Sequence, residues 1–311
     1  MAMIDARPVL VLGAGGFVGH ALCTALAAAG TRVIALGGGR SPPGSGITHH
    51  PGRVDPSDGF AELLDSAGSI VHCATASTPG STAGAPLREL EGNLRLTVRM
   101  LELLHARPRP LLYLSSGGSL YAEGETPAHE ASQVRPRSYH GAGKLAAESF
   151  IGAWSAQTGA SAVILRPSNI YGPGQSGRAG FAIIPTAFDR ILRDESLAIW
   201  GDGSARRDYL YIEDLMRLCM MVLSRPMREG VTILNASAGA STPLNKLLEI
   251  IESVTGGALR REYQPSRAVD APAIDMDASL ADRLYGWRHC HSLADGLAKT
   301  WAWYRTEHGA S

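Results

Sequence analysis

Apolar and polar residues in the first half of the chain are grouped in blocks. A short apolar run, Pro8 to Leu12, ends in glycines, and an Ala/Leu-rich segment, His20 to Ala29, follows and is stopped by Gly30. That order predicts strand, tight turn, helix. Apolar runs at Thr31 to Leu36, Ser69 to Cys73, Leu111 to Leu114 and Ser161 to Leu165 predict further strands, and Asn93 to His105 carries Leu94, Val98, Leu101 and Leu104 at helical spacing. Strands alternating with helices require a parallel sheet covered on both faces, so residues 1–166 are expected to form a Rossmann-type doubly wound α/β domain.

Beyond residue 166 the texture changes. Pro167, Gly172, Pro173, Gly174 and Gly177 punctuate a loop, after which helices are predicted at Ile183 to Arg193, Ile212 to Leu223, Leu244 to Val254 and Leu293 to Tyr304. Val231 to Leu234 reads as a strand able to rejoin the large sheet. The expected organisation is therefore a large domain with a returning segment near 205–236, and a smaller C-terminal substrate-binding lobe from 167–204 and 237–311. Gly37 to Gly46 reads as a surface loop, and no internal repeat is present.

Composition narrows the function classes. The 311 residues carry 29 basic and 29 acidic side chains and are 45% hydrophobic, enough to bury a sizeable core without staples. Zero formal charge gives no global attraction to nucleic acid or an anionic membrane. Cys23, Cys73, Cys219 and Cys290 form no CxxC pair, which fits reduced thiols and argues against zinc. The apolar start breaks at Gly13 with no cleavage-type region behind it, so neither a signal peptide nor a membrane span is expected, and a cytoplasmic protein is.

Gly13, Gly16 and Gly19 lie in GAGGFVG between the first strand and its helix, with Phe17 and Val18 at the helix start. Missing side chains there let backbone amides approach a dinucleotide pyrophosphate. At the end of the second strand, a carboxylate would accept from the adenosine ribose hydroxyls and a cation would meet a 2′-phosphate. The sequence Gly37-Gly38-Gly39-Arg40-Ser41 holds no acid, which matches NADP better than NAD. Asp55 is a candidate acceptor for the adenine amino group.

Taken together, GAGGFVG, Asn93 opening a helix, SSGGSLY (115–121), HGAGKLAAE (140–148), RPSNIYGPG (166–174), GDGSARRDYLYIEDL (201–215), PSRAVD (265–270) and LYGW (284–287) resemble the extended short-chain dehydrogenase/reductases. The likeness is to their NAD-dependent epimerase/dehydratase branch, the UDP-galactose 4-epimerase-like nucleotide-sugar enzymes, and spans nearly the whole chain. It implies hydride exchange between a sugar carbon and a nicotinamide while a Tyr, four residues before a Lys, moves the hydroxyl proton with help from a Ser or Thr.

Here the pattern is broken. Lys144 matches the family lysine, which also contacts the nicotinamide ribose, but His140 occupies the tyrosine position. Four residues at about 100° each return to within about 40° of the start, whereas Tyr139, five residues before Lys144, points about 140° away on a regular helix. Imidazole, with an ordinary pKa of about 6.5, is competent for acid/base work near neutrality. His140, Tyr139 through a distorted first turn, or neither, carries the proton. The usual hydroxyl position holds Gly117, leaving Ser116 or Ser119 as substitutes.

The resemblance also assigns Ala74, Asn93 and Pro167 to the cofactor side. On the substrate side it implies Arg207, Arg267 and Asn169 on a sugar-nucleotide diphosphate, Ser77, Ser116 and Ser119 near the hexose, and Trp200 beside the base. Arg206 is less favoured than Arg207, because adjacent side chains in an extended segment face opposite sides. The expected ligand is a UDP- or dTDP-hexose, and relatives imply a homodimer. The expected chemistry is 4-epimerisation or 4-ketoreduction with NADP or NAD; a catalytically silent cofactor and nucleotide-sugar binder is the alternative.

Overall fold

The computed structural model describes residues 7–52, 59–78, 80–122, 126–177, 182–265 and 275–308. Asp55 and Arg267 lie outside them. In chain order the large domain runs β1 (Val9–Leu12), α1 (Phe17–Ala28), β2 (Val33–Leu36), β3 (Ile47–His50), α2 (Phe60–Ser66), β4 (Ser69–His72) and α3 (Pro86–Glu89). A π-helical turn (Leu90–Leu94) leads into α4 (Arg95–Leu103), β5 (Leu111–Leu114), α5 (Gly117–Leu120), α6 (Tyr139–Thr158) and β6 (Ser161–Pro167). There follow β7 (Asn169–Tyr171), α7 (Ile183–Arg193), β8 (Leu197–Trp200), β9 (Arg206–Tyr211), α8 (Ile212–Leu223), β10 (Gly230–Ala236), β11 (Ser241–Pro243), α9 (Leu244–Thr255), β12 (Arg261–Gln264), α10 (Ser279–Tyr285) and α11 (Leu293–His308).

Seven strands form one parallel sheet in the order β3-β2-β1-β4-β5-β6-β10. Strands β1 and β2 are apolar throughout because both faces are covered. Val9 and Val11 of β1 enter one core, with Leu22 and Cys23 of α1 and Leu215 and Leu218 of α8; Leu10 and Leu12 enter the other, with Met100 of α4 and Ile151 of α6. This is the doubly wound arrangement, and β10 rejoins the sheet beside β6 as expected. The strand order reverses between β1 and β4, which opens a crevice at their carboxyl ends.

The edge strand β3 has no counterpart in the sequence reading. Its letters, Ile47-Thr48-His49-His50, carry little apolar signal, and its backbone pairs with β2 alone in the sheet. The helix expected from Asn93 begins instead as the π turn, in which Asn93 sits.

In the C-terminal part, β11-β9-β7 form a small mixed sheet and β12 pairs with β8. Phe188 of α7 packs on Trp301 and Tyr304 of α11, with ring centroids 5.1 and 5.6 Å apart. These residues belong to the same core as Val9 and Val11, so hydrophobic packing runs without a break from the large sheet into the smaller part. Among the described residues no helix is long and apolar enough to cross a membrane.

Candidate active site

The crevice is built from three segments: the glycine turn after β1, the loop after β4, and the first turns of α6. Gly13 packs so closely on the post-β4 loop that a Cβ would lie 2.6 Å from the Ala74 Cα, and a Cβ on Gly19 would lie 2.2 Å from the Gly13 carbonyl oxygen. A side chain at Gly13 would push the turn off the post-β4 loop, and one at Gly19 would separate the turn from its helix. Gly16 caps α1 with no side-chain hydrogen bond, leaving the amides around Phe17, Val18 and Gly19 at a positive helix end without a side-chain cap. This cradle fits a dinucleotide pyrophosphate.

The loop after β2 lies directly on the turn, since a Cβ on Gly15 would meet the Gly38 carbonyl. No carboxylate follows β2 here, since Gly37, Gly38 and Gly39 come directly after Leu36. Arg40 is exposed and pairs with Glu307 at 3.6 Å, an arrangement that does not build a 2′-phosphate site.

Helix α6 begins at a regular cap, the Ser138 hydroxyl accepting from the Gly141 amide at 3.1 Å. The first turn is not distorted toward Tyr139, whose side chain turns outward: the residue is 44% exposed, against 7% for His140 and 6% for Lys144. Thus the expected rotation holds, and imidazole and ammonium share the buried face. Lys144 Nζ donates to the carbonyl of Leu114, the last residue of β5, at 2.7 Å, and sits 4.9 Å from the Tyr113 ring centroid. Burial pushes the Lys144 pKa down to about 8. Burial, with the Lys144 charge as the second cause, pushes His140 down to about 4, against an opposing pull from Glu89.

Glu89 was not singled out from the sequence. At the end of α3 it is only 3% exposed, and its carboxylate reaches the His140 site through Ser77. The Ser77 hydroxyl donates to Glu89 Oε2 at 2.5 Å and lies 2.9 Å from His140 Nδ1. Asn93 completes the set: its Nδ2 donates to Ser77 Oγ at 2.7 Å and to Glu89 Oε1 at 2.8 Å, and its Oδ1 accepts from the Ala76 amide at 2.7 Å. Asn93, read as a cofactor residue, here fixes the post-β4 loop and the carboxylate. The one local trace of the Glu89 position is Gly143, a glycine in the interior of α6, where glycine is unfavourable and a Cβ would meet the Glu89 side chain.

Gly117 has no room for the hydroxyl side chain that the resemblance expects. A Cβ there would fall 2.2 Å from Met276 Sδ and 3.1 Å from the Arg166 carbonyl. The neighbouring hydroxyls are joined, Ser116 Oγ donating to Ser119 Oγ at 3.1 Å. Ser115 is committed elsewhere, donating to Glu148 in the buried Glu148–Arg166 ion pair.

On the expected substrate side, Arg206 is held by Ser241, Nε donating to Oγ at 2.9 Å and Nη2 to the carbonyl at 2.6 Å. Arg207 Nη1 donates to the carbonyl of its neighbour Arg206 at 2.7 Å. Asn169 Nδ2 donates to the Asp208 carbonyl at 3.0 Å, next to Arg207 on β9. Pro167 ends β6, one strand away from Lys144's anchor on β5. Trp200 ends β8 and is half exposed beside an open hollow of about 700 Å³ lined by Gly201, Asp202, Tyr263, Gln264 and Pro265. None of those lining residues belongs to the His140 and Lys144 cluster.

Comparison with known proteins finds relatives along nearly the whole chain. The profile of the NAD dependent epimerase/dehydratase family matches residues 9–236. A UDP-glucose 4-epimerase of Mycolicibacterium smegmatis is 28% identical over 96% of this chain and 98% of its own length. A dTDP-4-dehydro-6-deoxyglucose reductase of Escherichia coli is 26% identical over 95% and 98%. The solved structure of MoeE5 in complex with UDP-glucuronic acid and NAD superposes with a TM-score of 0.89 at 28% identity, covering 96% of this chain and 99% of that one. With the glycine cradle and the buried lysine in place, the chain belongs to the NAD dependent epimerase/dehydratase family.

Proposed function

We propose that this protein carries out NAD(P)-dependent oxidoreduction at a hydroxyl or keto carbon, C4, of a nucleotide-diphosphate hexose, as a 4-epimerase or 4-ketoreductase, with His140 in the proton-transfer role usually filled by tyrosine. The observation that carries this reading is the burial of His140 on one helix face with Lys144, at the position the family spacing gives to the phenol. Relatives of both chemistries, epimerase and reductase, align along nearly the full chain, which supports the substrate class.

When bound, the nicotinamide ring supplies or accepts hydride. The Gly13 to Gly19 turn and the α1 amides would hold its pyrophosphate. A neutral His140 takes the proton of the sugar hydroxyl during oxidation, and the resulting imidazolium returns it during reduction. The Lys144 charge favours the neutral imidazole that the first of these steps requires. Arg207 and Asn169 are proposed for the diphosphate and Trp200 for the base. The glycine loop after β2 carries no acid, which leaves room for either NAD or NADP, and the Arg40–Glu307 pair supplies no preference for NADP.

His140→Ala and Tyr139→Phe, assayed with several UDP- and dTDP-hexoses, test the assignment. Loss of turnover in the first with retention in the second is expected. A wild-type protein that binds both ligands yet transfers no hydride with any sugar would instead be a silent binder. Tightly held NAD after purification is the result expected of an epimerase, and weakly held NADP of a consumed reductant.

A further inference from the structure

We propose that Glu89 is a positioning residue which, through the Ser77 hydroxyl, fixes His140 as the tautomer protonated on Nδ1 and so leaves the Nε2 lone pair as the base. The inference rests on the proton-transfer role proposed for His140.

A hydrogen-bond count around Ser77 carries it. A hydroxyl has one proton to give and two lone pairs to fill, and an ionised carboxylate can only accept. Ser77 gives its proton to Glu89 Oε2 at 2.5 Å. Asn93 Nδ2 fills one lone pair at 2.7 Å, and its second proton goes to Glu89 Oε1 at 2.8 Å, so the amide has none left. The remaining partner of Ser77 is His140 Nδ1, at 2.9 Å, and it meets a lone pair. It must therefore carry a proton. Glu89 Oε2 itself stands 3.9 Å from Nδ1, near enough to favour the imidazolium formed when Nε2 takes up a substrate proton. A buried carboxylate behind an imidazole thus acts as the third group that orients an acid/base residue in other proton-transfer sites, here with a serine hydroxyl between.

The local backbone is adapted to this carboxylate. A Cβ on Gly143 of α6 would lie 2.5 Å from Glu89 Oε1 and 2.7 Å from its Cγ. An interior helix glycine, unfavourable by about 1 kcal/mol against alanine, is retained where Glu89 passes beneath the helix.

The amide of Glu89→Gln reverses the pattern. Asn93 Nδ2 still requires an acceptor, so the new carbonyl faces it and the new NH₂ faces Ser77. Both lone pairs of Ser77 are then filled, its proton turns to Nδ1, and His140 is forced to the Nε2-protonated form.

The test reads the tautomer directly, by ¹⁵N NMR of histidine-labelled full-length protein at neutral pH without substrate, with the His140 signals assigned by subtraction using His140→Gln. The wild type is expected to show Nδ1–H, and Glu89→Gln to show Nε2–H. With the nucleotide-sugar substrate, Glu89→Gln is expected to lose on the order of 10²-fold in kcat with little change in KM and a near-normal melting temperature. An Nδ1–H signal that persists in Glu89→Gln, or an Nε2–H signal in the wild type, overturns the inference. Wild-type kcat in Glu89→Gln alongside an inactive His140→Gln also overturns it, leaving the role of His140 intact. Full turnover in His140→Gln would defeat the role of His140 itself. If Glu89→Gln does not fold, Ser77→Ala removes the same acceptor, and a tautomer unchanged in that variant counts against the proposal equally.

Discussion

Gly143 faces the Glu89 carboxylate across the contact between α6 and α3, and the space between them is smaller than a methyl group. Alanine in place of a helix-interior glycine ordinarily stabilises by about 0.5–1 kcal/mol. At Gly143 the added carbon would meet Oε1, Cγ and Cδ of Glu89 at 2.5, 2.7 and 3.0 Å, and overpacking of this kind costs about 1–3 kcal/mol. Gly152 on the same helix has nothing within 4 Å of a built Cβ. Gly143→Ala is therefore expected to lower the melting temperature and Gly152→Ala to raise it. A rise in both would mean that the carboxylate moves aside at no cost.

These two residues also mark where sequence reading stopped. The apolar runs of β1, β2, β5 and β6 were legible because burial on both faces removes polar letters, and α8 was legible over its whole length from its amphipathic spacing. His140 and Lys144 were placed on one face because helical rotation is fixed by covalent geometry. Glu89 was not, because Pro-Leu-Arg-Glu has the letters of a solvated turn, and a single buried carboxylate leaves no periodic trace. The closing of Gly117 by Met276 joins residues far apart in the chain, so no local pattern announces it. Strand β3 escaped for the opposite reason: an edge strand with two histidines lacks the apolar run that marked its neighbours.

Stability should fall on the acid side of neutrality through two imidazoles. Burial, with Lys144 as the second cause in each case, lowers His72 to about 3 and His140 to about 4 from the ordinary 6.5. Between pH 6.5 and about 4 the unfolded chain binds protons that the folded chain refuses, so each histidine removes stability as pH falls, by up to about 1.4 kcal/mol per pH unit. Denaturant titrations at a series of pH values should show a shallower decline for His140→Gln than for the wild type in this window. Parallel curves would mean that His140 protonates in the folded state as it does in water.

The two arginines of β9 should separate cleanly by kinetics. Arg206 is anchored on Ser241 of β11, whereas Arg207 has the opposite strand orientation and, among the described residues, donates to the Arg206 carbonyl. Hydrogen bonds from a charged group contribute about 1.5–3 kcal/mol. Arg207→Gln is thus expected to raise KM for the sugar nucleotide by about 10- to 100-fold with kcat nearly unchanged. Arg206→Gln is expected to lower the melting temperature and leave KM close to the wild type. The reverse pattern would place Arg206 on the diphosphate.

Asp214, at the start of α8, should control both the docking of the segment before α11 and the reactivity of Cys290. Its buried carboxylate accepts from the amides of Cys290 and His291 at 3.0 and 3.2 Å, from the Cys290 thiol at 3.1 Å and from the His291 ring at 3.1 Å. Burial alone would raise its pKa, but the hydrogen bonds from Cys290 and His291 outweigh burial and hold it below the usual carboxylate range. Asp214 forms the hydrogen bond that is the first cause raising the Cys290 thiol pKa, ahead of burial and of the carboxylate's charge. In Asp214→Asn one oxygen becomes a donor facing donors, a loss of about 1–3 kcal/mol. The same change removes the negative charge beside an exposed thiol, so the Cys290 pKa falls and more thiolate forms at a given pH. Cys23 and Cys219 are buried and Cys73 is half-buried, which leaves Cys290 as the exposed thiol that a reagent reaches first. The expected outcome is a lower denaturation midpoint together with faster alkylation of Cys290 at pH 8, mapped by peptide mass spectrometry. Faster alkylation spread equally over the buried cysteines would indicate general unfolding, and a slower rate at Cys290 would show that the carboxylate activates the thiol instead of suppressing it.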